Sequence, residues 1–476
     1  MRLAKFLSFY FFAFALPTGF EVLLAADTAS VSFWCSITYI ESKNALRKHL
    51  SRGVTSNCRP RRRPLPTDIF LFKIVELLNS KMGMKTFDWI VIGAGITGAA
   101  LSYELVKKGL TVLLLEQNGV VQNATRFSYG GLAFWSGTTD LTCQLCREGI
   151  EIHRHLSQEL DTDTQFRELD LLLTIAAGDR PEKVAASYAH FAIAPRLLSV
   201  EAACELEPLL NPKAIAGALT VAHGHISPEA TTQGYSDRFV DLGGSIEFAQ
   251  VRGFVREGDR ILGVKSATET YHAQNVAVCA GGLSRMLLTS AGIPLRLYFT
   301  RAEMLEIPPQ ASREVKVRSL IMQAVLQRFP MEAAASQVEV DPLWDEPGNV
   351  LAPSVLDAGA IQFQDGSIRI GQLSRVLSDP NATVDRAESE AAIRAGVGKF
   401  LPALENLPAT WHDCLVAFSC DRLPLIGAIP NIEGIHIFSG FSNPLVFVPP
   451  LAKRFANCAV GENDPLIPKL SPSRFV

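Results

Sequence analysis

The pattern that most constrains this chain is a short apolar run that flows straight into a turn punctuated by glycines. Asp88-Trp89-Ile90-Val91-Ile92 suits a strand buried in a parallel sheet, and Gly93-Ala94-Gly95-Ile96-Thr97-Gly98 follows at once. A helical stretch comes next, with Ala99, Leu101, Leu105 and Val106 apolar, Lys107 and Lys108 near its end and Gly109 placed to terminate it. A second apolar strand, Thr111 to Leu115, ends on Glu116. The glycines have distinct physical roles. Gly93 permits the tight turn, Gly95 lets the backbone approach a pyrophosphate, and Gly98 lets helix and strand pack closely. Ile96 and Thr97 open the helix, where free N–H groups and the positive end of the dipole attract phosphate. Glu116 can accept hydrogen bonds from ribose hydroxyls and would repel a 2′-phosphate, which disfavours NADP. The unit predicts a dinucleotide site but does not by itself distinguish FAD from NAD.

A chain of 476 residues has room for two or three domains. Its formal net charge of −3 provides no basic surface, so nucleic acid is not expected as the main partner. The 9 cysteines are odd in number and irregularly spaced, which points to a reduced compartment. Cys143 and Cys146 form one C-x-x-C without the second pair or the histidines that zinc would require, so no metal is expected.

The amino-terminal part is a separate problem. Arg2 and Lys5 precede an apolar run from Phe6 to Leu16, with small residues at Ala25 and Ala26, as in a secretion signal. The run is short for a bilayer span of about 20 residues, and no stable span is expected in the catalytic region. Arg59, Arg61, Arg62 and Arg63 then lie among prolines with no periodic segment around them. Residues 1–84 are read as a leader or non-native extension, poorly ordered. Translation starting at Met82 or Met84 would make the protein cytoplasmic, and otherwise it would be exported or organelle-targeted.

Further motifs follow in a definite order. Ala124 to Leu132 reads A-T-R-F-S-Y-G-G-L. His225-Ile226-Ser227-Pro228-Glu229 precedes a helix, and Val276 to Gly282 is an apolar strand ending in glycines. Asp421-Arg422-Leu423-Pro424-Leu425-Ile426-Gly427 comes later, followed by Ile435 to Phe438 and Ser439-Gly440-Phe441. From about Phe87 to Val460 this order resembles the FAD-dependent D-amino-acid oxidase family, which includes glycine oxidase and sarcosine oxidase. The resemblance implies an α/β fold in which a Rossmann-like FAD-binding domain (85–169, 221–298 and 413–462) is interleaved with a mixed-sheet α+β substrate domain (170–220 and 299–412). It places Gly93, Gly95, Gly98 and Glu116 on the ADP half of FAD. Thr125, Ser128, Gly130 and Gly131 match the loop that passes the pyrophosphate and flavin. Gly281 approaches the cofactor, and Gly440 matches the loop near the flavin pyrimidine ring. The alternative for Thr125 and Ser128 is simple turn capping.

The activity implied is oxidation of a small amine or amino-acid-like substrate by hydride transfer to flavin N5, with oxygen or a quinone as electron acceptor. The alternatives are a dehydrogenase of a 2-hydroxy acid or glycerol phosphate, and a non-catalytic FAD-binding relative. The family's substrate arginines are missing: Val416 and Asn443 occupy their places, and Phe441 replaces the usual histidine. Candidate substrate contacts are therefore Arg301, Asn443 and Phe441, with Arg369, Arg375 and Arg422 as other cations. Arg301 suits a structural ion pair as well. Cys414 matches a position that carries covalent flavin in sarcosine oxidase-like members, or is a small buried side chain. His223 and His225 read as surface turn residues or as a metal or proton-transfer pair. Trp411 and His412 read as packing or pocket-lining residues.

Overall fold

The computed structural model describes residues 86–119 and 122–475. The leader reading and the start at Met82 or Met84 lie outside the described residues. In chain order the strands begin with β1 (Thr86–Ile92), β2 (Val112–Glu116), β3 (Gly131–Leu132), β4 (Arg167–Ala176), β5 (Arg196–Leu198) and β6 (Ile215–His225). They continue with β7 (Ser245–Phe248), β8 (Gly253–Glu257), β9 (Arg260–Lys265), β10 (Thr270–Val278), β11 (Leu297–Ile307) and β12 (Leu320–Gln323). The last are β13 (Val350–Gln362), β14 (Ile368–Leu377), β15 (Thr410–Ser419), β16 (Leu425–Ala428) and β17 (Ile435–Ser439). The helices of eight residues or more are α1 (Ile96–Lys107), α2 (Asp140–Leu160), α3 (Pro228–Asp241), α4 (Arg328–Ala335), α5 (Arg386–Phe400) and α6 (Pro444–Ala459). Among the described residues no helix is long and apolar enough to cross a membrane.

The first sheet runs β16-β17-β10-β1-β2-β7, with β9 also on β10 and β8 on β9. β1 pairs in parallel with both β10 and β2, Ile90 facing Val276 on one side and Leu113 on the other. A strand flanked on both edges and covered on both faces must be apolar throughout, which is why Ile90 and Val91 are fully buried. One face packs on α1, α2, α3 and α6 through Leu101, Leu105, Tyr235 and Phe455. The other buries Ile92, Leu113 and Leu115 against Leu288 and Ile437.

The second sheet runs β15-β11-β14-β13-β12-β4-β6-β3, with β5 on β6. Its long ladder is β11 against β15, from Leu297 opposite Ser419 to Glu306 opposite Thr410. α5 covers one face with Ile393, Val397 and Phe400. From β11, Ala302 and Met304 border the same cavity as Gly93 and Gly95 of the first sheet's glycine turn.

The expected domain boundaries need correction. β6 stays in the second sheet to its last residue, His225 opposite Arg167, so the switch does not fall at 221. β15 likewise stays paired with β11 to Ser419, beyond the boundary expected at 413. β4 enters that sheet at Arg167, and the short β3 belongs to it as well. The reason is physical: a ladder holds a strand until its pairing ends, and here that is at the motifs themselves, a few residues beyond the expected boundaries.

Candidate functional site

The turn after β1 is built to exclude side chains. Gly93 has φ +98°, and a Cβ there would lie 2.7 Å from the Cys279 carbonyl oxygen at the end of β10. At Gly98 a Cβ would lie 1.8 Å from the Gly93 carbonyl oxygen, so helix and turn touch backbone to backbone. Gly95 is the N-cap of α1 and offers no side-chain cap. The cap comes from elsewhere: Thr125 Oγ1 accepts the Ile96 amide at 3.1 Å. Thr97 donates its hydroxyl to the Cys279 carbonyl at 3.4 Å, tying α1 to the neighbouring strand. The amides of Gly95 and Thr97 make no hydrogen bond among the described residues, which leaves them for an anion.

Glu116 closes the other side of the turn. Its Oε2 accepts the Ala94 amide at 2.8 Å and its Oε1 the Asn118 amide at 3.1 Å. Each oxygen keeps a lone pair for a ribose hydroxyl. A glycine cradle, open amides and an oriented carboxylate fit an adenine dinucleotide.

These groups share one cleft of about 860 Å³, within the size range of cofactor and small-molecule sites. Gly93, Gly95, Ile96, Thr97 and Glu116 line one end, and Thr125, Ser128, Gly131, Gly281, Gly440 and Phe441 line it further along. Gly98 and Gly130 sit behind the wall. At Gly130 a Cβ would lie 2.2 Å from the Ile226 carbonyl oxygen, so its role is close packing. The Ser128 hydroxyl accepts the Gly130 amide at 3.2 Å, a turn cap beside the cleft. Phe441 is buried and packs edge-on to Phe438, ring centroids 5.0 Å apart.

The cations expected at the substrate end are engaged elsewhere. Arg301 does not line the cleft; it pairs with Asp413 at 2.6 Å and donates to the Ala382 carbonyl. Asn443 also lies off the cleft, its amide donating to the Ala133 carbonyl at 3.2 Å. Arg369 pairs with Glu306 and the Ser128 carbonyl, and Arg375 with Glu303. Arg422 is exposed and lies over the Phe329 ring. Trp411 carries Arg386 over its ring, and His412 stacks on Phe127, so both pack outside the cleft.

His223 and His225 are interior residues of β6, 4% and 1% exposed, and not surface turn residues. His223 lines the cleft, and Trp135 Nε1 donates to its Nδ1 at 3.1 Å. Val416 and Cys414 line the cleft on β15, and burial pushes the Cys414 thiol up to about 12. Cys143 and Cys146 are free thiols on α2. Among the described residues no group of three or more His, Cys, Asp or Glu is arranged to hold a metal.

Several lining residues carry no sequence motif. Arg328 and Glu332 lie one turn apart on α4, with Nε to Oε1 at 3.8 Å. Glu332 is 6% exposed and accepts the Thr300 hydroxyl at 2.7 Å. Thr300 stands opposite Val416 across β11 and β15, so a buried carboxylate lies beside the place where an arginine was expected. Asp357 accepts the Gln327 and Arg328 amides at 2.6 and 3.0 Å and so caps α4 from β13. Burial holds its carboxyl above the usual range despite those two bonds. Such contacts join residues far apart in the chain, and no local pattern announces them.

A family model described as DAO, FAD dependent oxidoreductase, matches residues 88–458. The chain is 25% identical over 382 residues to 4-methylaminobutanoate oxidase (formaldehyde-forming) of Paenarthrobacter nicotinovorans, covering 78% of this chain and 43% of that protein. It is 26% identical over 205 residues to an anaerobic glycerol-3-phosphate dehydrogenase subunit of Haemophilus influenzae, covering 41% of this chain and 36% of that protein. The chain thus spans less than half the length of these two curated relatives. The crystal structure of glycine oxidase from Geobacillus kaustophilus superposes with a TM-score of 0.66 at 16% identity, covering 82% of this chain and 99% of that one, and shares the fold.

Proposed function

The chain belongs to the DAO family of FAD-dependent oxidoreductases, and from that premise we propose that it oxidises a small amine or amino-acid-like molecule at a C–N bond. The carrying observation is the character of the cleft beyond the dinucleotide cradle. Its walls are apolar at Ala302, Met304, Leu415, Val416 and Phe441. The charged groups at that end are already engaged: Glu332 faces Arg328, Asp413 pairs with Arg301, and Asp357 caps α4. A lining whose cations are already paired disfavours a phosphate and suits a small, largely neutral amine.

Bound FAD supplies the acceptor for the hydride. The protein supplies placement. The amides of Gly95 and Thr97 would hold the pyrophosphate, and Glu116 the ribose. The apolar wall of β11 and β15 excludes water, which favours the neutral form of the amine at the reacting end and fixes its C–H bond. Glu332 and Asp413 would orient any second polar group of the substrate. Oxygen or a quinone would then take the electrons.

The second reading, oxidation of glycerol phosphate or a 2-hydroxy acid, has the glycerol-3-phosphate dehydrogenase relatives in its favour. It requires a cluster of free cations, and Arg328 already faces Glu332. Anaerobic bleaching of the flavin decides between them. Sarcosine, N-methylated amino acids and simple amines are expected to bleach it. Bleaching by glycerol 3-phosphate or lactate, with no response to any amine, reverses the assignment.

A further inference from the structure

His223 lines the cleft with no part in the placement described above. The ring is nine-tenths buried in β6, and one of its nitrogens is already engaged: Trp135 Nε1 lies 3.1 Å from His223 Nδ1. An indole N–H can only donate. Nδ1 must therefore accept, and the neutral ring carries its proton on Nε2. Nε2 makes no hydrogen bond among the described residues, and it points past Gly131, where a Cβ would lie 2.7 Å from it. The missing side chain at Gly131 is what leaves this nitrogen open to the cleft.

A second proton has no place to go. On Nδ1 it would meet the indole N–H head on. Burial acts in the same direction and brings the imidazole down to about 3. The titratable neighbour is His225 on the same strand, also buried and also brought down to about 3, with the positive charge of Arg167 opposing its protonation. Leu169 stands opposite His223 on β4, Trp135 stands at Nδ1 and Gly131 beside Nε2, and no carboxylate among the described residues acts on the ring to draw a proton onto it.

We infer that His223 is a positioning residue: a fixed, uncharged N–H donor that holds an oxygen acceptor, a carbonyl or carboxylate oxygen, in the cleft. It does not act as a general base. The acceptor belongs either to the substrate or to the flavin ring, and the donor serves it where the expected arginines are absent. Only the substrate source rests on the proposed function; the tautomer and the open donor do not.

The first test is nitrogen-15 NMR of the histidines in the purified holoenzyme from pH 5 to 8, with His223→Gln for assignment. A pyridine-like Nδ1 and a protonated Nε2 are expected throughout. A protonated Nδ1, or an imidazolium appearing in that range, overturns the inference without touching the proposed function. The second test compares His223→Leu with His223→Gln, which keeps an N–H donor. With the substrate as source, the Leu variant loses at least about 10-fold in KM for sarcosine and in acetate binding read from the flavin spectrum. Its kcat and FAD affinity stay within about 2-fold, and Gln restores most of the loss. With the flavin as source, the Leu variant shifts the flavin absorption and weakens FAD binding about 10-fold, and Gln again restores it. Equal behaviour of the Leu, Gln and unmutated proteins, or no rescue by Gln, overturns the inference. The spectrum of the unmutated protein decides the tautomer even where the Leu variant does not fold.

Discussion

The Thr125 hydroxyl accepts the Ile96 amide at 3.1 Å, so the first N–H of α1 is occupied by the protein itself. The loop read as a cofactor loop is thus also the helix cap, and a pyrophosphate would meet the amides of Gly95 and Thr97 instead. Thr125→Val removes the acceptor while keeping the shape. The expected loss is about 1 kcal/mol of stability, seen as a lower Tm, with Thr125→Ser near the unmutated value. An unchanged Tm for the Val variant would show that the cap is not structural.

Gly98→Ala places a methyl group 1.8 Å from a backbone oxygen, where no side-chain rearrangement can relieve it. Helix and turn must separate, at a cost of about 1–3 kcal/mol, and the cradle opens. Flavin binding measured by fluorescence quenching is expected to weaken at least about 10-fold. A variant that binds FAD normally would falsify the close-packed cradle.

Glu116→Gln tests the carboxylate. Both of its oxygens accept backbone amides, and the Gln NH₂ would present a donor to one of those donors. The expected loss in FAD affinity is about 1–3 kcal/mol, which equilibrium dialysis reads as roughly 5- to 100-fold. Glu116→Asp, which is shorter but still charged, should fall between.

His153 links stability to pH. It is fully buried between α2 and α6, its Nε2 lies 2.6 Å from the Leu445 carbonyl oxygen, and burial brings it from 6.5 to about 4. The unfolded chain takes up a proton below pH 6.5 that the folded chain refuses. Its contribution is therefore complete above pH 6.5 and is lost as the pH falls toward 4. Thermal unfolding should show Tm dropping more steeply over that window in the unmutated protein than in His153→Gln, which does not titrate there. Parallel curves would remove His153 from the account.

Cys414 faces the cleft, but burial keeps its thiol protonated at neutral pH, and a thiol is a poor nucleophile. Acid precipitation of the holoenzyme is expected to release all yellow colour into the supernatant. A yellow pellet that turns white in Cys414→Ala would establish a covalent flavin instead.

The cradle was legible because its parts lie within thirty or so residues and each obeys local physics: an apolar strand, a glycine turn, a helix start and an acid. The fate of Arg301 was not legible, because its partner Asp413 stands on a strand that meets β11 only after the sheet is assembled. The same holds for His223, whose tautomer is set by the indole of Trp135 on a different segment. The domain boundaries at 221 and 413 fell short, since β6 runs on to His225 and β15 to Ser419, where the motifs begin. Arg328 and Glu332 had no motif, and only the short α4 brings them to the cleft.

The parallel pairing of β10 with β17, and the packing of α6 on α1 and α2, carry a consequence for the order of synthesis. Gly149 on α2 is so close to α6 that a Cβ there would lie 2.1 Å from the Val446 carbonyl oxygen, so the two helices seat as a matched pair. The nascent chain emerges with its glycine turn first and the loop at Gly440 more than three hundred residues later. The cleft is complete only when that late segment joins the glycine turn in its lining. A nascent chain stalled before Gly440 is therefore expected to hold no flavin until its synthesis is completed.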